Sequence, residues 1–165
     1  HRAGGTDNVM APPHKVTKGL AAARYAFGFW DLGPDDAIVI ETTVPDARYW
    51  SFQLYEMGTY ELVDMVERQT SLNHSHVRVD PDGKVRIVLA HRDPGMANWL
   101  DTAARRVGQF TYRFFWSRGD PEYTSTVVKV SELGERYPDS VRCSPEERRA
   151  ALAARRAHFA HRYRT

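Results

Sequence analysis

The chain is poor in cysteine, in glycine and proline, and in long hydrophobic runs. Its 165 residues hold one cysteine, Cys143, which excludes an internal disulfide and a cysteine-rich zinc site. With 11 glycines, 9 prolines and 12% aromatic residues, it is neither collagen-like nor disordered. No stretch approaches the roughly 20 apolar residues of a membrane span, and no signal segment opens the chain. We predict a soluble single domain and assign it no cellular location. Because the first residue is His1 and not Met, we also expect that the N-terminus has been trimmed from a longer product.

Lysine is also scarce, and positive charge is concentrated at one end. Only 4 of the 23 basic residues are lysine, and residues 141–165 carry seven arginines and two glutamates while 1–140 are acidic overall. A basic helix can bind nucleic acid or acidic lipid, but no known nucleic-acid-binding motif accompanies it. We therefore predict a solvated helix or a subunit contact. Its basic residues include Arg148, Arg149, Arg155, Arg156, Arg162 and Arg164.

Apolar and polar residues alternate with a period of two in six segments, which predicts strands. The segments are 37–44, 48–55, the two arms of a hairpin over 76–91, 109–117 and 124–131. In the fifth, one face would carry Phe110, Tyr112, Phe114 and Trp116. The spacers are too short for the helices of a parallel α/β sheet. We therefore predict a mainly β fold, an antiparallel β sandwich resembling a jelly roll. Residues 15–29 fit either a short helix or a strand.

The last segment predicts a surface helix. Ser144 is a capping residue, Pro145 suits the first helical position, and Glu147 can return a hydrogen bond to the cap. The apolar stripe beyond it is thin, so we expect residues 145–161 to dock through Leu152 and Phe159. The chain then divides into a loop or connection to an upstream segment (1–14), a β-sandwich domain (15–140) and a basic C-terminal helix (141–165).

The hairpin register bears on a metal site. A three-residue loop ending at Gly83 would place Asn73 opposite His91 on the inner face of the sandwich. His74 and His76 would share the outer face, and two imidazoles on one side of a strand can chelate a metal. A third ligand is needed, and this register sends His91 to the other face. We therefore predict two exposed histidines and no metal.

A group of polar and aromatic residues is expected to meet at one end of the sandwich. Asp93 precedes a Pro-Gly turn and is placed to bond loop amides, while Trp99 would plug the sandwich end or wall a ligand pocket. Arg68 could hold an anion or pair with Asp93 or Asp101. The whole candidate cluster is Gln53, Arg68, Asn73, His91, Asp93, Trp99 and Asp101.

Several strings in order resemble one bacterial family. They are DLGPDDA (31–37), RYWSFQLY (48–55), RQTSLN (68–73), HRDPG (91–95) and NWLDT (98–102). Together they resemble the domain-of-unknown-function family 1214, which usually follows a family 1254 domain in a longer protein. The resemblance covers about residues 20–135 and implies a jelly-roll-like β domain, often in an oligomer, with no established reaction. The chain departs from the family at residues 74–76, which speaks against an inherited metal site.

Three functions remain open on the sequence. The first is a non-enzymatic binding or assembly domain, whose polar cluster fixes loops or holds a small polar ligand. Its partners would be an upstream domain or copies of itself. The second is an enzyme of unknown class that uses His91 as acid or base, oriented by Asp93 or Asp101. The third, a nucleic-acid contact through the C-terminal helix, has the least support. No cofactor is predicted.

Overall fold

Two four-stranded sheets pack face to face. A computed structural model describes residues 7–16 and 19–163. Arg164, one of the basic tail residues, and residues 1–6 of the N-terminal segment lie outside the described ranges. The strands are β1 (Ala23–Asp31), β2 (Asp36–Thr43), β3 (Tyr49–Tyr55), β4 (Ser71–Asn73), β5 (Lys84–Ala90), β6 (Trp99–Asp101), β7 (Val107–Phe115) and β8 (Tyr123–Lys129). A 3₁₀ turn (Val130–Glu132) leads into α1 (Leu133–Arg136), and α2 (Pro145–Tyr163) closes the described chain.

The first sheet has the order β1-β7-β3-β4 and is antiparallel throughout. The second sheet has the order β6-β5-β2-β8, in which only the β5–β6 pair is parallel. The interior between them is aromatic and aliphatic, with fully buried Phe52, Phe110 and Tyr112 from the first sheet and Ile38 and Ile87 from the second. The predicted mainly β sandwich with a C-terminal helix is confirmed. No described helix is long and apolar enough to cross a membrane.

A second apolar layer covers the outer face of the second sheet. Val39 and Val88 point away from the sandwich interior and pack with Trp99, Met96 and Leu133. This explains why the sequences of β2 and β5 read as nearly continuous apolar runs, since strands covered on both faces lose the alternation. Trp99 is 7% exposed and its indole nitrogen donates to the Ala90 carbonyl at 3.0 Å, so it is a packing residue of this layer.

The predicted hairpin is correct at its turn and wrong beyond it. The Asp80 amide donates to the Lys84 carbonyl at 2.8 Å, and Gly83 takes the left-handed conformation with φ 79°. The arm before Asp80 is not a strand, because β6 occupies the edge of β5 that this arm would need. The side chain of Asn98 instead joins the arm to the sheet: it accepts from the Arg78 amide at 2.8 Å and donates to the Arg78 carbonyl at 2.7 Å.

The predicted pairing of Asn73 with His91 is therefore wrong. Asn73 lies in β4 of the first sheet, opposite Ser51, whereas His91 follows β5 in the second sheet. His74 and His76 lie in an exposed turn rather than on a strand. In the parts of the chain that are described, three or more His, Cys, Asp or Glu residues nowhere come together in a metal-binding group.

Residues 23–31 form a strand, which settles the choice left open for 15–29. In β1, Gly28 lies opposite Phe110, and Trp30 lies opposite Gly108 of β7. Each aromatic ring covers the glycine across from it, so closely that a Cβ at Gly28 would lie 2.2 Å from Phe110 Cζ. The alternation in β7 holds for its buried aromatic residues but fails at Trp116, which is 60% exposed because the strand has ended.

The helix α2 begins as predicted and docks differently. The Glu147 amide donates to Ser144 Oγ at 3.2 Å, and the Ser144 amide donates to the Glu147 carboxylate at 2.7 Å, which completes the capping box. Leu152 and Phe159 are half-buried, as expected for docking residues. Arginines also anchor the helix, however: Arg148 reaches the Asp93 carboxylate at 2.9 Å, and Arg156 reaches Glu67 at 3.2 Å. The prediction that this basic face is solvated is wrong at the buried Arg148, whereas Arg156 remains exposed.

Candidate functional site

The seven candidate residues do not form one site. Arg68 pairs with the buried Asp101 at 2.8 Å, one of the two internal partners expected for it. Asp101 also accepts from the Ala103 amide at 2.7 Å, so this ion pair orders the loop after β6.

His91 is held in a closed set of hydrogen bonds. Its Nδ1 lies 2.6 Å from Thr102 Oγ1 and its Nε2 lies 3.2 Å from the Leu32 carbonyl oxygen. A carbonyl can only accept, so Nε2 donates and Nδ1 accepts from the hydroxyl. Both ring nitrogens therefore have partners, and none of these partners is Asn73, Asp93 or Asp101. The half-buried imidazole joins the end of β1 to the loop after β6.

Asp93 and Trp99 belong to the anchor of α2. Asp93 accepts from the Gly95 amide at 2.9 Å, which confirms its predicted loop-stabilising bond. The buried Arg148 guanidinium lies between them, bonded to Asp93 and centred 5.3 Å from the Trp99 ring, a cation–π distance. Trp99 is a buried packing residue, but it packs outside the second sheet, so its predicted place at the sandwich end is wrong.

The remaining two candidates lie on the first sheet. Gln53 is 8% exposed, and its Oε1 accepts from the Tyr55 hydroxyl at 2.7 Å. Asn73 Oδ1 accepts from the Ser75 amide at 2.9 Å, closing the turn after β4. Gln53 is the one candidate that leads to a larger surface, since it lies near the centre of the side of this sheet that faces away from the sandwich interior.

We call that side the outer face of the first sheet. The strand register arranges it in rows across β1, β7 and β3, such as Phe27, Thr111 and Gln53. Aromatic residues lie toward its margins and polar residues at its centre. The residues in the four rows that cross all three strands are Ala23, Tyr25, Phe27, Phe29, Tyr49, Ser51, Gln53, Tyr55, Gln109, Thr111, Arg113 and Phe115.

Two polar atoms on this face are buried without a partner. Gln109 is 6% exposed and Thr111 is 2% exposed, yet Gln109 Oε1 and Thr111 Oγ1 have no hydrogen-bond partner within the described residues. They line a shallow cavity of about 240 Å³ together with Tyr55 and Tyr60. Burial raises the pKa of the Tyr55 hydroxyl, which is already half-buried here. Buried polar atoms usually have hydrogen-bond partners, so two acceptors of this cavity are left unsatisfied by the described residues.

Sequence reasoning missed Gln109 and Thr111. The alternation in 109–117 already separates Thr111 from the core aromatics. It does not reveal that β1 and β3 flank β7, which is what surrounds these two side chains with aromatic residues.

Comparison with known proteins gives a family and a fold neighbour. The model of the family described as "Protein of unknown function (DUF1214)" matches residues 33–119. The crystal structure of an uncharacterized protein from Burkholderia cenocepacia superposes with a TM-score of 0.71 at 32% identity, covering 76% of this chain and 36% of that one. The VPA0106 protein from Vibrio parahaemolyticus gives a TM-score of 0.48 at 16% identity, covering 62% and 30%. No curated protein matches the chain.

The family match spans more than half of the chain and includes β2 through β7. It contains four of the five strings on which the resemblance was based, and most of the fifth. The chain also spans only 36% of the length of the Burkholderia protein. This chain belongs to the DUF1214 family, whose function is unknown.

Proposed function

We propose that this chain is a non-enzymatic assembly domain. The outer face of its first sheet would pack against an upstream domain in the longer proteins of the family, the family 1254 domain that the resemblance implies. Residues 15–140 would form the interacting sandwich, and residues 141–165 a helix packed against it. The observation that carries the proposal is a pair of buried oxygens on an aromatic face, Gln109 Oε1 and Thr111 Oγ1, which have no hydrogen-bond partner among the described residues.

The chemistry of the outer face is that of a protein interface. Protein interfaces are enriched in Tyr, Trp, Phe and Arg and depleted in Lys and Glu. Six of the twelve residues in its four central rows are aromatic, and the one charged side chain in these rows is Arg113, whose Nε donates to Ser51 Oγ at 3.1 Å. Tyr60 and Trp116 lie at the margins and are 64% and 60% exposed. A partner that supplies donors to Gln109 and Thr111 would complete their hydrogen bonding while burying these rings.

The length of the Burkholderia protein supports an upstream domain as the occupant. This chain spans 36% of that protein, so most of it lies outside the shared fold. A second copy of this chain is the competing occupant, since a symmetric pair could bury the same rings.

The closed bonding of His91 favours assembly over catalysis. Its two ring nitrogens are bonded to Thr102 and Leu32, so neither is directed at a substrate. The ion pair of Arg68 with Asp101 and that of Arg148 with Asp93 likewise bind loops to the sandwich. In this proposal, the predicted polar residues support the fold and the outer face performs the function.

The test is a binding measurement with matched variants. The part of the Burkholderia protein outside the shared fold is titrated onto this chain and onto Thr111→Arg and Thr126→Arg. Thr126 is an exposed residue of β8, on the other sheet, and provides the control. We expect binding by the unsubstituted chain and by Thr126→Arg, and loss of binding by Thr111→Arg. Absence of binding would contradict the proposal. A dimer of this chain that only Thr111→Arg dissociates would assign the face to a second copy.

A further inference from the structure

A cleft of about 620 Å³ separates α2 from the turn after β4 and from the segment that precedes the helix. We call it the α2 cleft. The basic residues of its lining are His76, Arg78, Arg142, Arg148, Arg155 and His158. The volume is typical of small-molecule sites, which span about 300–1,000 Å³.

Three of the four arginines of this cleft lack acidic partners. The fourth, Arg148, is paired with Asp93, and most other arginines of the described chain are also ion-paired, as Arg86 is with Asp80. Among the residues that the structure describes, no carboxylate oxygen lies within 4.0 Å of Arg78, Arg142 or Arg155. Three guanidinium groups without counterions therefore line one cavity.

Arg155 is the most constrained of the three. Its guanidinium donates to the Ser71 carbonyl at 2.7 Å, to Ser71 Oγ at 3.0 Å and to the Met65 carbonyl at 3.2 Å, all neutral oxygens. The side chain is half-buried, and burial lowers the pKa of this guanidinium. A cation removed from water without a counterion is costly unless another charge compensates it.

His76 does not add to the positive charge of the cleft at neutral pH. Partial burial lowers its pKa, and repulsion from Arg155, His158 and His74 lowers it further. The cleft contains one acidic side chain, Glu147, and its carboxylate is engaged by the Ser144 amide at 2.7 Å.

Apolar side chains form the rest of the wall. Leu72 and Phe159 line the same cavity, the latter stacked on Tyr163 at 5.4 Å. A ligand that fits must therefore offer an anionic group to the arginines and an apolar body to this wall.

We propose that the α2 cleft binds a small organic anion, in which a carboxylate or phosphate head is attached to an apolar body. Arg78 and Arg155 contact the head, since guanidinium groups match both oxyanions in geometry. The body lies against Leu72 and Phe159. This site is separate from the outer face of the first sheet and does not depend on the assembly proposal.

Calorimetric titration of the 165-residue chain tests the site with four probes: octanoate, octyl phosphate, inorganic phosphate and octanol. We expect one or both amphipathic anions to bind, and whichever binds more tightly identifies the head group. Octanol should bind at least tenfold more weakly than that anion. Equal binding of octanol, or no binding of either amphipathic anion at millimolar concentration, would overturn the proposal.

Two charge-matched variants separate local contact from overall charge. Arg78→Gln removes a cleft guanidinium whose side chain is exposed, and Arg48→Gln removes an equally exposed arginine outside the cleft. We expect Arg78→Gln to raise the Kd of the amphipathic anion about tenfold, which corresponds to about 1.4 kcal/mol. Arg48→Gln should change it less than twofold. Equal effects of the two variants would show that only net charge matters and would contradict a built site.

Discussion

Removal of the Asp80 carboxylate is expected to destabilise the fold strongly. Asp80 is 5% exposed, and its carboxylate accepts from Ser140 Oγ at 2.7 Å, from the Val141 amide at 2.8 Å and from Arg86 at 2.7 Å. These bonds fasten the segment before α2 to the turn that starts β5. The carboxylate therefore fixes the position of Ser140 and Val141, which precede α2, and Val141 lines the α2 cleft.

The magnitude follows from what Asp80→Ala leaves behind. Arg86 would keep Glu41 at 2.8 Å and Asp82 at 2.6 Å, so its charge stays compensated. The Ser140 hydroxyl and the Val141 amide would both lose their acceptor, and hydrogen bonds to charged groups contribute about 1.5–3 kcal/mol each. Allowing for relaxation, we expect a loss of about 3 kcal/mol, a large share of a typical domain's 5–15 kcal/mol.

Urea unfolding at neutral pH measures this loss, as a lower midpoint with an unchanged m value. Asp82→Ala is the matched control, since Asp82 binds the same arginine but its side chain is 46% exposed. The control should shift the midpoint only slightly, because exposed ion pairs stabilise little. An Asp80→Ala midpoint no lower than that of Asp82→Ala would refute the reasoning.

Three further predictions concern other parts of the sandwich. His91→Ala should lower the free energy of unfolding by about 1–3 kcal/mol, because two buried groups lose their partner; an unchanged melting temperature would contradict this. Gly28→Ala should cost about 1–3 kcal/mol by forcing the Phe110 ring aside, which chemical denaturation would detect; a neutral result would mean that the ring adapts freely. The hydrogen bond from Lys129 lowers the pKa of Asp36 below 3.8. The Asp36 carboxylate therefore stabilises the fold fully above its pKa in the unfolded chain, and this stabilisation is lost as the pH falls through its pKa in the folded chain. Asp36→Asn should therefore make the free energy of unfolding depend less on pH below about pH 4. The same pH dependence in Asp36→Asn and the unsubstituted chain would exclude this contribution.

The alternation of apolar residues predicted the sandwich because strand period is a local property. Phe110 and Tyr112 are buried where the pattern places them. The capping box at Ser144 was equally predictable, since its partner Glu147 lies three residues away. Local signals therefore gave most of the strands and the start of α2.

The pairing of distant segments could not be predicted in the same way. Strand β6 pairs with β5 where the hairpin arm before Asp80 was expected to pair. Asn98 then accepts a hydrogen bond from Arg78, twenty residues away. In the tail, Arg148 looked like a solvated residue because its partner Asp93 lies 55 positions earlier. Such competition between chain segments depends on the assembled fold.

The candidate site was only partly predictable for the same reason. Most of the residues selected by their chemistry are satisfied by internal bonds, as His91 and Asp101 are. Thr111 and Gln109 could not be selected from the sequence, because neither belongs to a recognisable motif. Only the order β1-β7-β3 encloses their oxygens.

The most direct test of the central claim is site-specific photocrosslinking from the outer face. A benzophenone amino acid in place of Tyr55 puts the reactive group on this face, beside Gln109 and Thr111, and the same amino acid in place of Thr126 puts it on the other sheet. With the non-shared part of the Burkholderia protein present, we predict a crosslink to that polypeptide from position 55 and none from position 126. Equal crosslinking from both positions, or crosslinking from position 126 alone, would contradict assembly through the outer face of the first sheet.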